Sequence, residues 1–206
     1  MGINTIEEAE PYLKKNIFPE LEQGRPNWDK PHTEAVVFYT KEIIKNTLDL
    51  NLDRAVLVVV AYAHDWGYAN LFKKGIYIGR EDIQNVKIMH AQISMEKISA
   101  LLQDPIFSFL SAGQKERICH LVLVHDNLEK LNQKDELVFM EADTLGQLDI
   151  TRATPTFNKK DNEKYMTKTL KTRISRFVTP FAKKKAEELF WLRKEHYKNK
   201  NFTNLT

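Results

Sequence analysis

Two adjacent residues with metal-binding side chains, His64 and Asp65, follow a run of eight mostly apolar residues. On a helix, Leu57, Val60 and Ala61 would share one face with His64, because they lie seven, four and three positions before it. The imidazole is therefore expected to point into the protein core. A carboxylate buried beside it costs several kcal/mol unless a cation compensates its charge, and a divalent metal would do so.

One inward-facing histidine is more often a hydrogen-bonded core residue than a metal ligand, so the metal hypothesis depends on partners elsewhere in the chain. Further residues of the same types lie on other predicted helices: His32, His90, His125, Asp126 and Asp143. Imidazole and carboxylate groups together suit divalent metals such as Mn, Fe, Co, Ni or Zn.

Hydrophobic periodicity predicts a series of helices that would position these residues, and alternating strand-like sequence is nearly absent. The predicted helices are 6–22 with a break near Pro19, Pro31 to about Thr47, Asp53 through Asp65 with Gly67 as its stop, Glu81 to about Leu102, Ser111 through His125, one starting near Asp135, about 162–178, and 180–198. The predicted fold class is all-α.

Length and composition indicate one domain, or one domain with an appendage, because the chain has 206 residues and ordinary apolar content. The longest apolar run is too short to span a bilayer, and the N-terminus does not resemble a secretory signal. The single cysteine, Cys119, excludes an internal disulfide and fits a reducing cytoplasm. We therefore expect a cytoplasmic protein without a membrane segment.

Charge is unevenly distributed along the chain. Residues 159–200 hold 14 Lys and Arg against 5 Asp and Glu, whereas the remainder holds 17 against 23. Such a basic C-terminal third could contact nucleic acid, acidic lipid or a phosphorylated ligand. A solvated amphipathic helix explains the same composition without any partner, since no base-stacking aromatic pattern accompanies it.

The order His32, then His64-Asp65, then Asp143 resembles the H…HD…D pattern of the HD-domain superfamily of metal-dependent phosphohydrolases. Three further segments are similar to small bacterial HD hydrolases. Residues 90–94 (HAQIS) resemble their H-x-x-x-S helix, 118–126 the next helix, and 141–149 the closing "ADxL" segment. The resemblance covers roughly 28–152. It divides the chain into an N-terminal helix and loop (1–27), an HD hydrolase core (28–152) and basic C-terminal helices that pack on or extend the core (153–206).

The resemblance implies an HD-domain helical bundle with a central metal site. Its ligands would be His32, His64, Asp65 and Asp143, and the metal a divalent ion, Mn, Fe, Co, Ni, Zn or Mg. Two interpretations of His90 and His125 stay open: they bind a second metal, or they form hydrogen bonds and phosphate contacts around a single one.

The implied reaction is hydrolysis of a phosphomonoester or phosphoanhydride, in a nucleotide or a small phosphate ester, by water that the metal activates. Asp65 and Asp126 are the catalytic candidates; Asp126 could orient His125, serve as a general base, or only cap a helix. Lys73, Lys74 and Arg80 could supply phosphate contacts, although a solvated loop is the simpler explanation for them.

The chain departs from the family pattern in two places. Many phosphatase members carry a glutamate a few residues after the HD pair, and residues 66–72 contain no acid. The GYP element of cyclic-dinucleotide phosphodiesterases is also absent. Two alternatives therefore stand beside the phosphohydrolase: a di-iron HD-type oxygenase, and a non-catalytic regulatory or nucleic-acid-binding module.

Overall fold

The computed structural model describes residues 4–72 and 78–199, and within these ranges it contains helices and no strand, which confirms the all-α prediction. The eight α-helices are α1 (Ile6–Leu21), α2 (Asp29–Lys45), α3 (Arg54–Ala63), α4 (Arg80–Leu101), α5 (Ala112–Val124), α6 (Lys134–Leu148), α7 (Lys159–Thr172) and α8 (Pro180–Asn199). Short 3-10 turns at Leu48–Leu50, Trp66–Asn70, Pro105–Phe107, Leu128–Lys130 and Ile174–Arg176 lie between them.

Helix α3 is the centre of the bundle. Its residues 56–63 are all at most 2% exposed, and α1, α2, α5 and α6 pack around it. A helix that is apolar on every side is buried on every side, which explains why this mostly β-branched run forms a helix here. The Asp53 side chain caps its start by accepting a hydrogen bond from the Val56 amide at 3.1 Å.

The remaining helices pack in pairs around this centre: α2 on α6, α4 on α5, and α8 on α6. Gly146 permits the close approach of α6 to α2, since a Cβ there would lie 2.7 Å from the Val36 side chain and 3.2 Å from its backbone nitrogen. This approach places Asp143 of α6 beside His32 of α2.

Three predicted helix boundaries are wrong. Helix α1 continues through Pro19 to Leu21, because burial of Ile17, Phe18 and Leu21 holds its last turn against the core. Helix α3 ends at Ala63, so it does not carry Asp65, and Gly67 lies in the following 3-10 turn rather than stopping the helix.

The third wrong boundary lies in the C-terminal region, where the α-helix predicted to reach Val178 ends at Thr172. The chain then turns at Ile174–Arg176, and the buried carboxylate of Glu141 accepts hydrogen bonds from Thr179, through its amide at 2.9 Å and its hydroxyl at 2.5 Å. These bonds fasten the start of α8 to α6. The division of the chain near residue 152 stays a prediction.

In the described part of the chain, no helix combines the length and apolar character that a membrane crossing requires.

Candidate metal centre

Six predicted metal-type residues from different parts of the chain meet at one buried centre. They form two groups whose candidate ligand atoms lie within 4.8 Å of one another: His32, His64 and Asp143 in the first, and Asp65, His90 and His125 in the second. All six residues are buried.

The first triad joins α2, the end of α3, and α6. The Nε2 atoms of His32 and His64 lie 3.3 Å apart, and Asp143 Oδ1 lies 3.2 Å from the former and 3.8 Å from the latter. Donor atoms about 2.1 Å from one ion at tetrahedral angles are about 3.4 Å apart. The observed spacing therefore fits a triad around a single ion.

The second triad joins α4, the end of α5, and Asp65. The Nε2 atoms of His90 and His125 lie 3.3 Å apart, and Asp65 Oδ1 is 3.4 Å from the first and 3.5 Å from the second. This spacing is equally suited to one ion.

The two triads share the carboxylate of Asp65. While its Oδ1 belongs to the second triad, its Oδ2 lies 3.6 Å from both His32 Nε2 and His64 Nε2. One carboxylate therefore faces four imidazole nitrogens, with a different oxygen toward each pair. This arrangement can hold one cation on each side.

The backbone after α3 explains how His64 and Asp65 both reach the centre. Side chains of adjacent residues in an α-helix point about 100° apart, but Asp65 has left the helix and has φ −103° and ψ 9°. Two residues later, a Cβ on Gly67 would lie 2.1 Å from the His90 carbonyl oxygen, so only glycine lets the chain pass α4 this closely. The Gly67 amide donates a hydrogen bond to Ser94 Oγ at 2.7 Å.

Each triad contains one imidazole that contacts a backbone carbonyl and one that stacks on an aromatic ring. His64 and His125 hold Nδ1 against a backbone carbonyl, Ala61 O at 3.0 Å and Val122 O at 2.7 Å. These bonds place the proton on Nδ1 and leave Nε2 free to bind a metal.

The other two imidazoles are held by stacking. His32 lies parallel to Trp28 with ring centres 5.4 Å apart, and His90 lies parallel to Tyr68 at 3.9 Å. Their Nδ1 atoms are buried and have no hydrogen-bond partner among the described residues. Neither aromatic residue was predicted. Trp28 directly precedes α2 and lies four residues before His32, and this spacing was the available signal.

Arg173 holds the carboxylate of Asp143. Its Nη2 donates to Asp143 Oδ2 at 2.5 Å, and Gln147 Nε2 donates to the two Asp143 oxygens at 2.9 and 3.1 Å. Burial raises the pKa of Asp143, but Arg173 and then His32 and His64 outweigh it and hold that pKa far below its usual range. Asp143 is thus ionised and ready to bind a cation.

The histidines at the ends of α3 and α5 differ in pKa. Burial lowers the pKa of His64 to about 4 despite the neighbouring Asp65 and Asp143. For His125, burial also acts downward, but the hydrogen bond to Asp65 and the charge of Asp126 outweigh it and raise the pKa above 6.5.

Asp126 lies at the edge of the second triad. Its Oδ2 is 3.8 Å from His90 Nε2 and 3.9 Å from His125 Nε2, while its Oδ1 pairs with Lys87 Nζ at 2.7 Å and Arg173 Nη1 at 3.5 Å. Burial raises its pKa, but Lys87, His125 and Arg173 bring that pKa down to about 2. The carbonyl of Val122, not Asp126, contacts the Nδ1 of His125.

Four residues of the centre, His32, Asp65, His125 and Asp143, line a cavity of about 650 Å³, a size typical of small-molecule sites. Of the predicted phosphate contacts, Arg80 lines this cavity. Lys73 and Lys74 lie outside the described residues.

Sequence reasoning did not identify several polar residues that line the cavity: Arg25, Lys87, Gln147, Tyr165, Lys168, Arg173 and Arg193. Lys87 and Gln147 had a local signal, since they lie three residues before His90 and four after Asp143 on the same helix faces. No such signal marked the residues that α7, α8 and the turn between them contribute. In a basic helix, the sequence does not distinguish a lysine or arginine that faces the cavity from one that faces solvent.

No protein-family model, no curated protein and no solved structure matches this chain.

Proposed function

We propose that the chain is an HD-type metal-dependent phosphohydrolase that cleaves a phosphomonoester or phosphoanhydride. The observation that carries this proposal is the Asp65 carboxylate, which is shared between two histidine-containing triads and lines a small-molecule cavity. Cationic side chains in the same cavity would attract a phosphate.

The donor set supports two divalent ions. The centre holds three carboxylates, of which Asp65 and Asp143 are buried and Asp126 is partly buried, whereas Lys87 and Arg173 are the cations paired with Asp126 and Asp143. Buried anionic charge in excess of its partners favours a bound cation. Four imidazole nitrogens favour Mn, Fe, Co, Ni or Zn over Mg, which prefers oxygen ligands.

Ions held there supply two effects: they lower the pKa of a bound water, and they offset charge on the phosphoryl oxygens. The protein adds a guanidinium. Arg173 spans Asp143 and Asp126 at the cavity wall, and its Nε is buried with no hydrogen-bond partner in the part of the chain that the structure describes. Because a guanidinium matches phosphate geometry, Arg173 would orient the phosphate and stabilise negative charge that develops during attack.

Asp126 would position the attacking water. It is ionised at neutral pH and faces the second triad through the oxygen that Lys87 does not bind. A carboxylate with a pKa of about 2 is a weak base, so its main contribution would be to accept a hydrogen bond from the water and fix its direction.

The test combines metal analysis of the purified protein with a panel of phosphate esters, nucleotides and phosphoanhydrides, assayed without oxygen after loading with Mn²⁺, Co²⁺ or Zn²⁺. We expect two ions per chain and turnover of at least one compound class that chelation abolishes. Full metal loading with no hydrolysis across the panel would contradict the proposal.

The shared carboxylate also suits the second candidate, a di-iron oxygenase, because both reactions need two ions bridged at one site. The experiment that separates them is oxygen uptake by the iron-loaded protein. Substrate-dependent oxygen consumption together with an iron spectrum that changes on oxidation would favour the oxygenase, whereas phosphate release without oxygen would exclude it as the main activity.

A further inference from the structure

The cations that line the cavity differ in whether a carboxylate pairs with them. Arg173 and Lys87 pair with carboxylates of the centre, and Arg25 pairs with Asp29 at 2.5 Å. These carboxylates offset part of the positive charge.

Arg80 and Lys168 differ from these three cations, and both line the cavity and a second groove beside it. Within residues 4–72 and 78–199, neither the guanidinium of Arg80 nor the ammonium of Lys168 forms an ion pair with a carboxylate. Arg80 is the first residue of α4 and Lys168 lies on α7, so separate helices bring the two charges to one cavity. In these ranges the Arg80 side chain forms no hydrogen bond, while its backbone amide donates to Asp161 Oδ2 at 3.4 Å.

These charges are close enough to act on one another. Burial lowers the pKa of Lys168, and after burial the largest causes are the positive charges of Lys87 and Arg80. The Asp126 carboxylate acts on Lys168 in the opposite direction, but with a smaller effect than Lys87 or Arg80. Together these cations create a positive potential that an anion would relieve.

The positive surface continues into a neighbouring groove. This shallower groove shares Arg80, Lys168 and Thr172 with the cavity and adds Lys164 and Lys171 of α7. It also contains Glu163, so its described lining holds four cations against one carboxylate. A ligand whose first phosphate lies at the metal centre and which extends toward this groove would therefore lie beside Arg80 and Lys168.

We propose that the substrate is a small molecule with a second anionic group besides the phosphate at the metal centre, and that Arg80 and Lys168 bind this second group. The second group is a phosphate or a carboxylate, since both accept charge-assisted hydrogen bonds from these side chains. This proposal depends on the proposed function only in placing the first phosphate at the metal centre.

Calorimetry with three non-hydrolysable probes tests this. Propylphosphonate carries one anionic group, propane-1,3-diphosphonate carries a second phosphonate, and 3-phosphonopropionate carries a carboxylate in its place. We expect the Mn²⁺-loaded protein to bind at least one of the two-group probes about tenfold more tightly than propylphosphonate, beyond the factor of about two expected for two equivalent ends. The preferred probe identifies the second group.

The variant that tests the assignment is Arg80→Gln/Lys168→Gln, and the matched control is Lys160→Gln, an exposed lysine of α7 outside both grooves. The double variant should reduce the affinity ratio to about two or below, and the control should keep it. Bound Mn²⁺ shows that each variant is folded. Equal affinities for all probes in the parent protein, or a ratio unchanged in the double variant, would overturn the proposal.

The two proposals can fail separately. A preference for a two-group probe that the double variant loses, with no hydrolysis of any phosphate compound, would reject the phosphohydrolase and keep the anion site. Hydrolysis without any such preference would keep the phosphohydrolase and reject the second group.

Discussion

The chain contains two His-Asp pairs, His64-Asp65 and His125-Asp126, and they begin from the same local structure. Each histidine directly follows the last residue of an α-helix. In each, Nδ1 contacts the carbonyl oxygen of the residue three positions earlier, which fixes the orientation of the ring. Both helices also direct the partial negative charge of their C-terminal ends toward the centre, where a cation would benefit from it.

The aspartates of the two pairs have different surroundings. Asp65 lies 3.4–3.6 Å from four imidazole nitrogens. Asp126 remains 3.8–3.9 Å from two of them because Lys87 and Arg173 hold its other oxygen. The same dipeptide at the same helical position is thus a shared ligand in one case and a cation-paired neighbour in the other. Neighbouring elements decide the difference.

The largest expected effect separates the two aspartates directly. Asp65→Asn keeps the shape but removes the charge shared by both triads, so both ions should be lost and hydrolysis should fall by about 10³-fold or more. Metal analysis and kcat/KM measure this, with the exposed Asp49→Asn as control. A variant that retains both ions would show that Asp65 is not a shared ligand.

The second prediction concerns the chain that follows Asp65. Gly67→Ala places a methyl group 2.1 Å from the His90 carbonyl oxygen, so α4 must move and the free energy of unfolding should fall by about 3 kcal/mol or more. Gly113→Ala is the matched control, because nothing lies within 4 Å of its Cβ. It should be neutral or slightly stabilising in urea unfolding.

The third prediction uses the two histidines in the metal-free protein. The pKa of His64 is about 4, below its ordinary value of 6.5, so the unfolded chain binds the proton first as the pH falls. Stability from this group is therefore lost between pH 6.5 and about 4, by about 3 kcal/mol. His125 has the opposite sign: its raised pKa stabilises the fold below pH 6.5, and this is lost as the pH rises through that raised value.

Histidine NMR titration of the metal-free protein checks both directions, and urea unfolding at two pH values, for the parent and for His64→Gln, checks the energy. If His64 titrated at or above 6.5, its burial would not control its charge.

The smallest effect is expected for the second aspartate. Asp126→Asn should lower metal affinity at the second triad or activity by about 10- to 100-fold, because it removes a neighbour of the ligands rather than the shared ligand. Metal titration should show the first triad unchanged. A loss as large as that of Asp65→Asn would remove the distinction between the two aspartates.

Much of the helical framework could be predicted from the sequence. Apolar spacing indicates the buried face of α5 and places His125 inward, whereas on α4 it left Met89 or His90 as the inward residue. The structure buries His90 and leaves Met89 52% exposed. His32 was predicted only to lie at the start of its helix. Helix ends were harder to predict: burial carries α1 past Pro19, and α3 ends before His64 because the chain must turn to pass α4. These outcomes depend on neighbours that are distant in sequence.

The sequence by itself determined the all-α class and the metal-binding residue types, since periodicity and side-chain chemistry are local properties. Only the tertiary structure decided that Asp65 is shared by two triads, and that Arg173 reaches Asp143 from thirty residues away. Those facts depend on distances between packed helices. Apolar spacing identifies the buried face of a helix but not the residue that another helix places opposite it.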